Sequence, residues 1–156
     1  MENYSVLMSV YYKEQAENLR EAIDSILNQT VKTNEFIIVK DGPLTEKLDN
    51  TIKEYVEEYP GVFKIITLEK NMGLAKALNK GIEQCSNEII ARMDSDDISM
   101  PDRMERQLEA MEANRADILS GTIVEFDESV DKPTAKRELP EKNEQIIEFA
   151  KKRSPI

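Results

Sequence analysis

Asp94-Ser95-Asp96-Asp97 sets three carboxylates within four residues, directly after the short apolar run that starts at Ile89-Ile90-Ala91. Like charges this close repel unless a positive charge sits among them. The chain as a whole offers little relief, because 31 acidic residues face 21 Lys and Arg, a net charge of −10. The pattern therefore points to a divalent cation that carries a phosphorylated ligand. In an acidic protein, phosphate needs metal, local Lys or Arg, or helix N-termini. A calcium loop fits less well. Asp94, Asp96 and Glu105 have the spacing of its first, third and twelfth positions, but Ile98 and Ser99 stand at the fifth and sixth, where a ligand and a glycine are needed. Pro101 also falls inside that loop. The plain alternative is a solvated acidic turn leading into a helix.

The surrounding pattern decides which reading the cluster can serve. Tyr4–Tyr12 reads as a strand, with Val6, Leu7, Met8 and Val10 too continuously apolar for a half-exposed one. Leu19, Ala22, Ile23, Ile26 and Leu27 then recur at helical spacing. Phe36–Val39 is a second buried strand, ended by the turn residues Lys40-Asp41-Gly42-Pro43. A second amphipathic helix over Leu48–Tyr59 stops at Pro60-Gly61, and Phe63–Leu68 is a third strand. Asn71-Met72-Gly73 breaks the chain before a helix holding Leu74, Ala77, Leu78 and Ile82. Glu88–Met93 is the fourth strand, and Ser99-Met100-Pro101-Asp102 has the form of a capped helix start. Ile118–Phe126 reads as a fifth strand, 127–143 as a polar loop, and 144–152 as a short charged helix.

Four strand–helix alternations with apolar strands predict an α/β fold whose mostly parallel central sheet carries helices on both faces. Ligands of such sheets sit at the carboxyl ends of the strands. That rule gathers Ser9-Val10-Tyr11, Asp41, Asn71 with Gly73, and Asp94 with Asp96 toward one crevice. Taken singly, each has a modest reading: Asp41 as a turn residue, Lys76 and Lys80 as surface lysines, Tyr11 and Tyr12 as packing or base-stacking aromatics.

Composition removes several classes. With no histidine and Cys85 alone, the common zinc sites, histidine triads and intrachain disulfides are excluded, and a reducing compartment is expected. No basic excess exists to make nucleic acid a bulk partner. There is no signal peptide pattern, and no apolar run approaches a membrane span. The expected location is cytoplasmic, with peripheral association at the inner face of the membrane. No Walker-type or dinucleotide glycine fingerprint occurs.

A series of stretches in order then resembles one family. Ser9-Val10-Tyr11, Ser25-Ile26-Leu27-Asn28-Gln29-Thr30 and Ile37-Ile38-Val39-Lys40-Asp41-Gly42 resemble the start of family-2 inverting glycosyltransferases. Asn71-Met72-Gly73-Leu74-Ala75-Lys76 through Gly81 is similar to their next signature. Met93-Asp94-Ser95-Asp96-Asp97 with Pro101-Asp102-Arg103 resembles their Asp-x-Asp motif and the helix after it. The resemblance covers roughly residues 4–126. It implies a nucleotide-diphospho-sugar transferase (GT-A, Rossmann-like) fold and a UDP-sugar donor, with galactose one candidate sugar in capsular or extracellular polysaccharide synthesis. By position, Tyr11 contacts the base and Asp41 the uracil edge, while Gly73 and Lys76 line the nucleotide pocket. Asp94 and Asp96 hold ribose, diphosphate and Mg²⁺ or Mn²⁺, with Asp97 nearby. Ser9, Asn71 and Ser95 complete the expected nucleotide-sugar set.

Two departures accompany the resemblance. Lys40-Asp41 stands where the family shows paired acids. No counterpart of the general base that deprotonates the acceptor hydroxyl is found after Phe126, so no catalytic residue is assigned. The expectation is a donor-binding subdomain over 1–126, followed at 127–156 by the start of an incomplete acceptor region for a glycan or lipid-linked acceptor, the fold being truncated on its C-terminal side. Two other classes stay open. A receiver-type phosphate-signalling module also gathers carboxylates at strand ends, but after other strands. A nucleotidyltransferase of related fold expects a glycine- and basic-rich triphosphate loop near the first strand.

Overall fold

In the computed structural model, which describes residues 3–127 and 132–151, the four apolar runs form parallel strands. These are β1 (Tyr4–Val10), β2 (Glu35–Lys40), β3 (Phe63–Thr67) and β4 (Ile89–Asp94), in the spatial order β3-β2-β1-β4. β1 and β2 are buried nearly end to end, as strands covered on both faces must be. Helices α1 (Ala16–Leu27), α2 (Glu46–Glu58) and α3 (Leu74–Ile82) connect them.

Side chains alternate across a strand, so β2 feeds two layers. Ile37 and Val39 join Leu7 of β1 and Ala77 of α3 in one cluster. Phe36 points the other way and stacks on Phe63 at 5.0 Å, and Tyr55 of α2 meets Phe63 at 6.1 Å. Helices thus cover both faces, as the alternation predicts. α3 lies unusually close to the sheet: a Cβ on Gly81 would stand 2.2 Å from Leu7 Cδ1 and 2.9 Å from Val39 Cγ2.

The amino ends of the strands are tied by a polar network. The Ser5 hydroxyl donates to Glu35, which also accepts from the Ser86 amide at 2.8 Å and the Ser86 hydroxyl at 2.7 Å. Ser5 Oγ in turn accepts from Asn87. Partial burial opposes the Glu35 charge, but these hydrogen bonds outweigh it and its pKa is lowered. A depressed carboxylate stabilises the fold above the unfolded-state pKa, and that share is lost as pH falls through the folded value. Urea midpoints of wild type and Glu35→Gln should therefore differ most at neutral pH and converge in acid. Parallel curves at every pH would contradict this. A cavity of about 360 Å³ beside this network is lined by Asn34, Glu35, Gly61, Lys64 and Asn87 among others. It lies at the strand ends remote from the acidic loop.

Cα packing divides the chain into two units, Met1–Glu105 and Arg106–Ile156, the division falling inside α4 (Arg103–Asn114). α4 begins at Arg103, with Pro101 and Asp102 in a preceding turn. The second unit contains strands β5 (Ile123–Phe126) and β6 (Pro133–Arg137) and helix α5 (Asn143–Ala150). Two expectations need correction here. The fifth strand covers only the end of Ile118–Phe126 and pairs antiparallel with β6 in a sheet of its own. The stretch read as a polar loop contains β6, an exposed strand with no apolar alternation to announce it. Backbone pairing holds it, assisted by Thr134 Oγ1 donating to the Glu125 carbonyl at 3.1 Å and by the Arg137–Glu125 ion pair. The expected last helix appears as α5, while Lys152 and the final Ser154-Pro155-Ile156 lie outside the described residues.

Candidate functional site

The strand order fixes where a ligand can sit. From β1 the chain moves outward through β2 to β3, then returns through α3 to β4 on the other side of β1. The order therefore reverses between β1 and β4, and open α/β sheets bind ligands at the carboxyl side of that switch. Register supplies the residues: Ser9 pairs with Asp94 on one side and with Val39 on the other, and Val10 pairs with Lys40. Three neighbouring strand ends thus present Asp41, Tyr11 and the Asp94 loop in a row. With strands about 4.8 Å apart, the row from β2 to β4 spans roughly 10 Å.

Asp41 is 3% exposed. Its Oδ1 accepts from the Met72 amide at 2.7 Å and its Oδ2 from the Gly73 amide at 3.0 Å. Gly73 is the N-cap of α3, at φ +86° and with no side chain to cap the helix. Asp41 braces that start from another strand, holding the two amides that lead into the helix and setting a negative charge at its positive end. The residue expected to read a base edge is thus also the anchor of the Asn71–Gly73 loop. Asn71 and Lys76 are solvent-exposed around it. Tyr11 and Tyr12 are exposed as well, edge to face with centroids 6.0 Å apart. An exposed aromatic pair at a strand end is free to stack on a planar ligand.

The acidic loop is organised by partners outside it. Asp94, the last residue of β4, pairs with Arg92 at 2.7 Å. Ser95 is buried and donates its hydroxyl to Glu14 at 2.7 Å. Asp96 and Asp97 face solvent. Partial desolvation, then the charges of Asp94 and Asp96, push the Asp97 carboxyl above its ordinary value, against Arg103 and Arg92. Arg103 reaches under β4, donating to the Arg92 carbonyl at 3.0 Å and to Met93 Sδ at 3.3 Å. Desolvation lowers its pKa, while Asp97, Tyr4 and Asp94 hold it up.

This electrostatic imbalance fits a cation. Among the described residues no three acidic side chains converge on one metal position. Mg²⁺ usually takes one or two carboxylates and completes its shell with water and substrate phosphates, so Asp94 and Asp96 form a suitable hard-oxygen pair for an ion arriving with a diphosphate. Sequence reasoning missed Glu14, Arg92 and the anchoring partners of Asp41. Glu14 belongs to no motif, and only the folded β1–α1 loop brings it to Ser95.

The profile of glycosyl transferase family 2 matches residues 5–155. An amylovoran biosynthesis glycosyltransferase of Erwinia amylovora is 43% identical over 154 residues, which are 98% of this chain and 56% of the relative. The UDP-Gal:alpha-D-GlcNAc-diphosphoundecaprenol beta-1,3-galactosyltransferase of Escherichia coli is 39% identical over 154 residues, 98% of this chain and 55% of that protein. The chain thus spans about half the length of these curated relatives. Among solved structures, the mannosyltransferase PcManGT of Pyrobaculum calidifontis, in complex with GDP-Man and Mn²⁺, aligns with a TM-score of 0.63 at 19% identity. That alignment covers 70% of this chain and 32% of that one, and shows a shared fold.

Proposed function

The chain belongs to glycosyl transferase family 2, and on that premise we propose that its strand-end crevice binds a nucleotide-diphospho-sugar, with UDP as the nucleotide, for sugar transfer in polysaccharide synthesis. The observation that carries the reading is the pairing of Ser9 with Asp94 across the β1–β4 switch point, one strand away from the Asp41-anchored start of α3. Galactose is the sugar favoured by analogy with the Escherichia coli relative, whose name carries UDP-Gal and a diphosphoundecaprenol-linked acceptor. A glycan or lipid-linked hydroxyl is the matching acceptor class. Among the described residues no helix is long and apolar enough to cross a membrane.

In this reading Tyr11 stacks on the base and the Asp41 lone pairs left by Met72 and Gly73 reach its edge. Asn71, Gly73 and Lys76 border the nucleotide, Ser9 lies beneath it, and Asp94 and Asp96 hold Mg²⁺ or Mn²⁺ against the diphosphate. The metal, when bound, offsets the charge that develops on the departing nucleotide diphosphate. Inverting transfer forms the bond from the acceptor oxygen to the anomeric carbon as the bond to the diphosphate breaks. The acceptor's proton passes to a carboxylate, a role for which no residue between 127 and 156 is assigned. Donor binding is therefore the part attributed to this chain.

Calorimetry with UDP tests the reading. Binding should require Mn²⁺ or Mg²⁺, and Asp96→Asn should weaken it at least tenfold, about 1.4 kcal/mol. Metal-independent binding, or an unchanged Asp96→Asn affinity, would count against the assignment. The receiver-type alternative loses ground on topology: such folds run 2-1-3-4-5, whereas the strands here run β3-β2-β1-β4.

A further inference from the structure

Glu14 stands in the loop between β1 and α1, three residues after Tyr11, and its amide donates to the Tyr11 carbonyl at 3.1 Å. Its carboxylate accepts three hydrogen bonds. Oε1 accepts from the Gln15 amide at 2.7 Å and from Asn18 Nδ2 at 3.3 Å, and Oε2 accepts the Ser95 hydroxyl at 2.7 Å. Ser95 is buried, while Asp94 before it is half-buried and Asp96 after it is exposed. One side chain thus joins the loop that carries Tyr11 to the loop that carries Asp94 and Asp96, across 81 residues of sequence.

The electrostatics make this bond informative. A fourth carboxylate beside three others raises the repulsion in the loop. Among the described residues its link to the acidic loop is a hydroxyl donor, and a charge-assisted bond of this kind is worth more than a neutral one. Burial of Ser95 makes the bond costly to lose, because the hydroxyl has no water to turn to.

We propose that Glu14 is a positioning residue that sets the Asp94–Asp97 loop through Ser95 and couples it to the Tyr11 loop, so that base recognition and metal–diphosphate binding strengthen together. The coupling rests on the donor-site reading above; the strut itself does not. With the loop fixed, Asp94 and Asp96 meet the metal without first being ordered, and removing the strut adds that ordering cost to every binding event.

Two measurements test it on the same variants. In the ligand-free protein, hydrogen exchange at the amides of residues 94–97 should accelerate equally in Glu14→Ala, Ser95→Ala and the double variant. Glu14→Gln should fall between wild type and Glu14→Ala, because the serine hydroxyl can accept from the glutamine amide but the bond loses its charge. In calorimetry, Mn²⁺-dependent UDP affinity should fall about tenfold in each single variant and no further in the double. Binding of uridine without metal should fall by much less. Unchanged exchange, or single effects that multiply in the double variant, would overturn the strut. Wild-type protein that binds no UDP while the exchange pattern holds would instead overturn the donor-site reading and leave the strut standing.

Discussion

Gly42→Ala is expected to cost the fold about 3 kcal/mol and to remove metal-dependent nucleotide binding, while Gly61→Ala costs about 1 kcal/mol and leaves binding intact. Both glycines have positive φ, +88° and +84°. Each therefore charges an L-residue a similar conformational strain, and the difference lies in what the added methyl meets. At Gly61 there is nothing within 4 Å. At Gly42 the new Cβ would stand 2.6 Å from the Asn71 amide nitrogen and 2.9 Å from the Lys70 carbonyl carbon. Those are backbone atoms with no rotamer to change, so the segment Lys70–Gly73 must move. That segment carries both amides that Asp41 holds, and a buried carboxylate without its donors is strongly destabilising. Thermal unfolding and UDP calorimetry on the two variants check this, and equal losses in both would show that strain, not the close approach of the two loops, is the cause.

The second large effect is expected at Gln29, 1% exposed. Its Nε2 donates to the carbonyls of Ser25 at 2.9 Å and Met100 at 2.7 Å and approaches Ser99 Oγ at 3.2 Å; its Oε1 accepts from the Met104 amide at 3.0 Å. Two carbonyls on one side and an amide on the other fix the orientation of the side chain. The residue joins the end of α1 to the start of α4, just beyond the acidic loop. Gln29→Leu keeps the volume and strands these groups, and should cost about 3 kcal/mol, roughly 6–12 °C in Tm. Gln29→Glu is the sharper variant. It can still accept from Met104, but its second oxygen faces two carbonyls and can donate only when protonated. It should be destabilised at neutral pH and partly recover in mild acid. A Gln29→Glu protein as stable as wild type at pH 7 would show that shape, not donor pattern, matters there.

Gln29 also marks a limit of reading along the chain. In sequence it is one residue of the Ser25–Thr30 stretch at a helix end; nothing nearby announces that it spans 75 residues to Met104. Glu14 is similar, a single acid in a polar turn. Asp41 lies between these cases. Its place after a buried strand was legible, but its bonds to Met72 and Gly73 depend on how closely the two loops approach.

The sequence by itself determined the parts governed by local pattern. Continuous apolar runs separated by helical periodicity fixed the parallel sheet, and the breaks after the runs put Tyr11, Asp41 and Asp94 at strand ends and Gly73 at a helix start. It failed at β6, because an exposed strand is held by pairing and leaves no burial pattern to read. Only the tertiary structure decided the order β3-β2-β1-β4, and with it the switch point that sets Ser9 beside Asp94. The same holds for the Glu14, Asp41 and Gln29 contacts. These are bonds between residues 31 to 81 positions apart, and such pairs come from packing geometry, not from spacing along the chain.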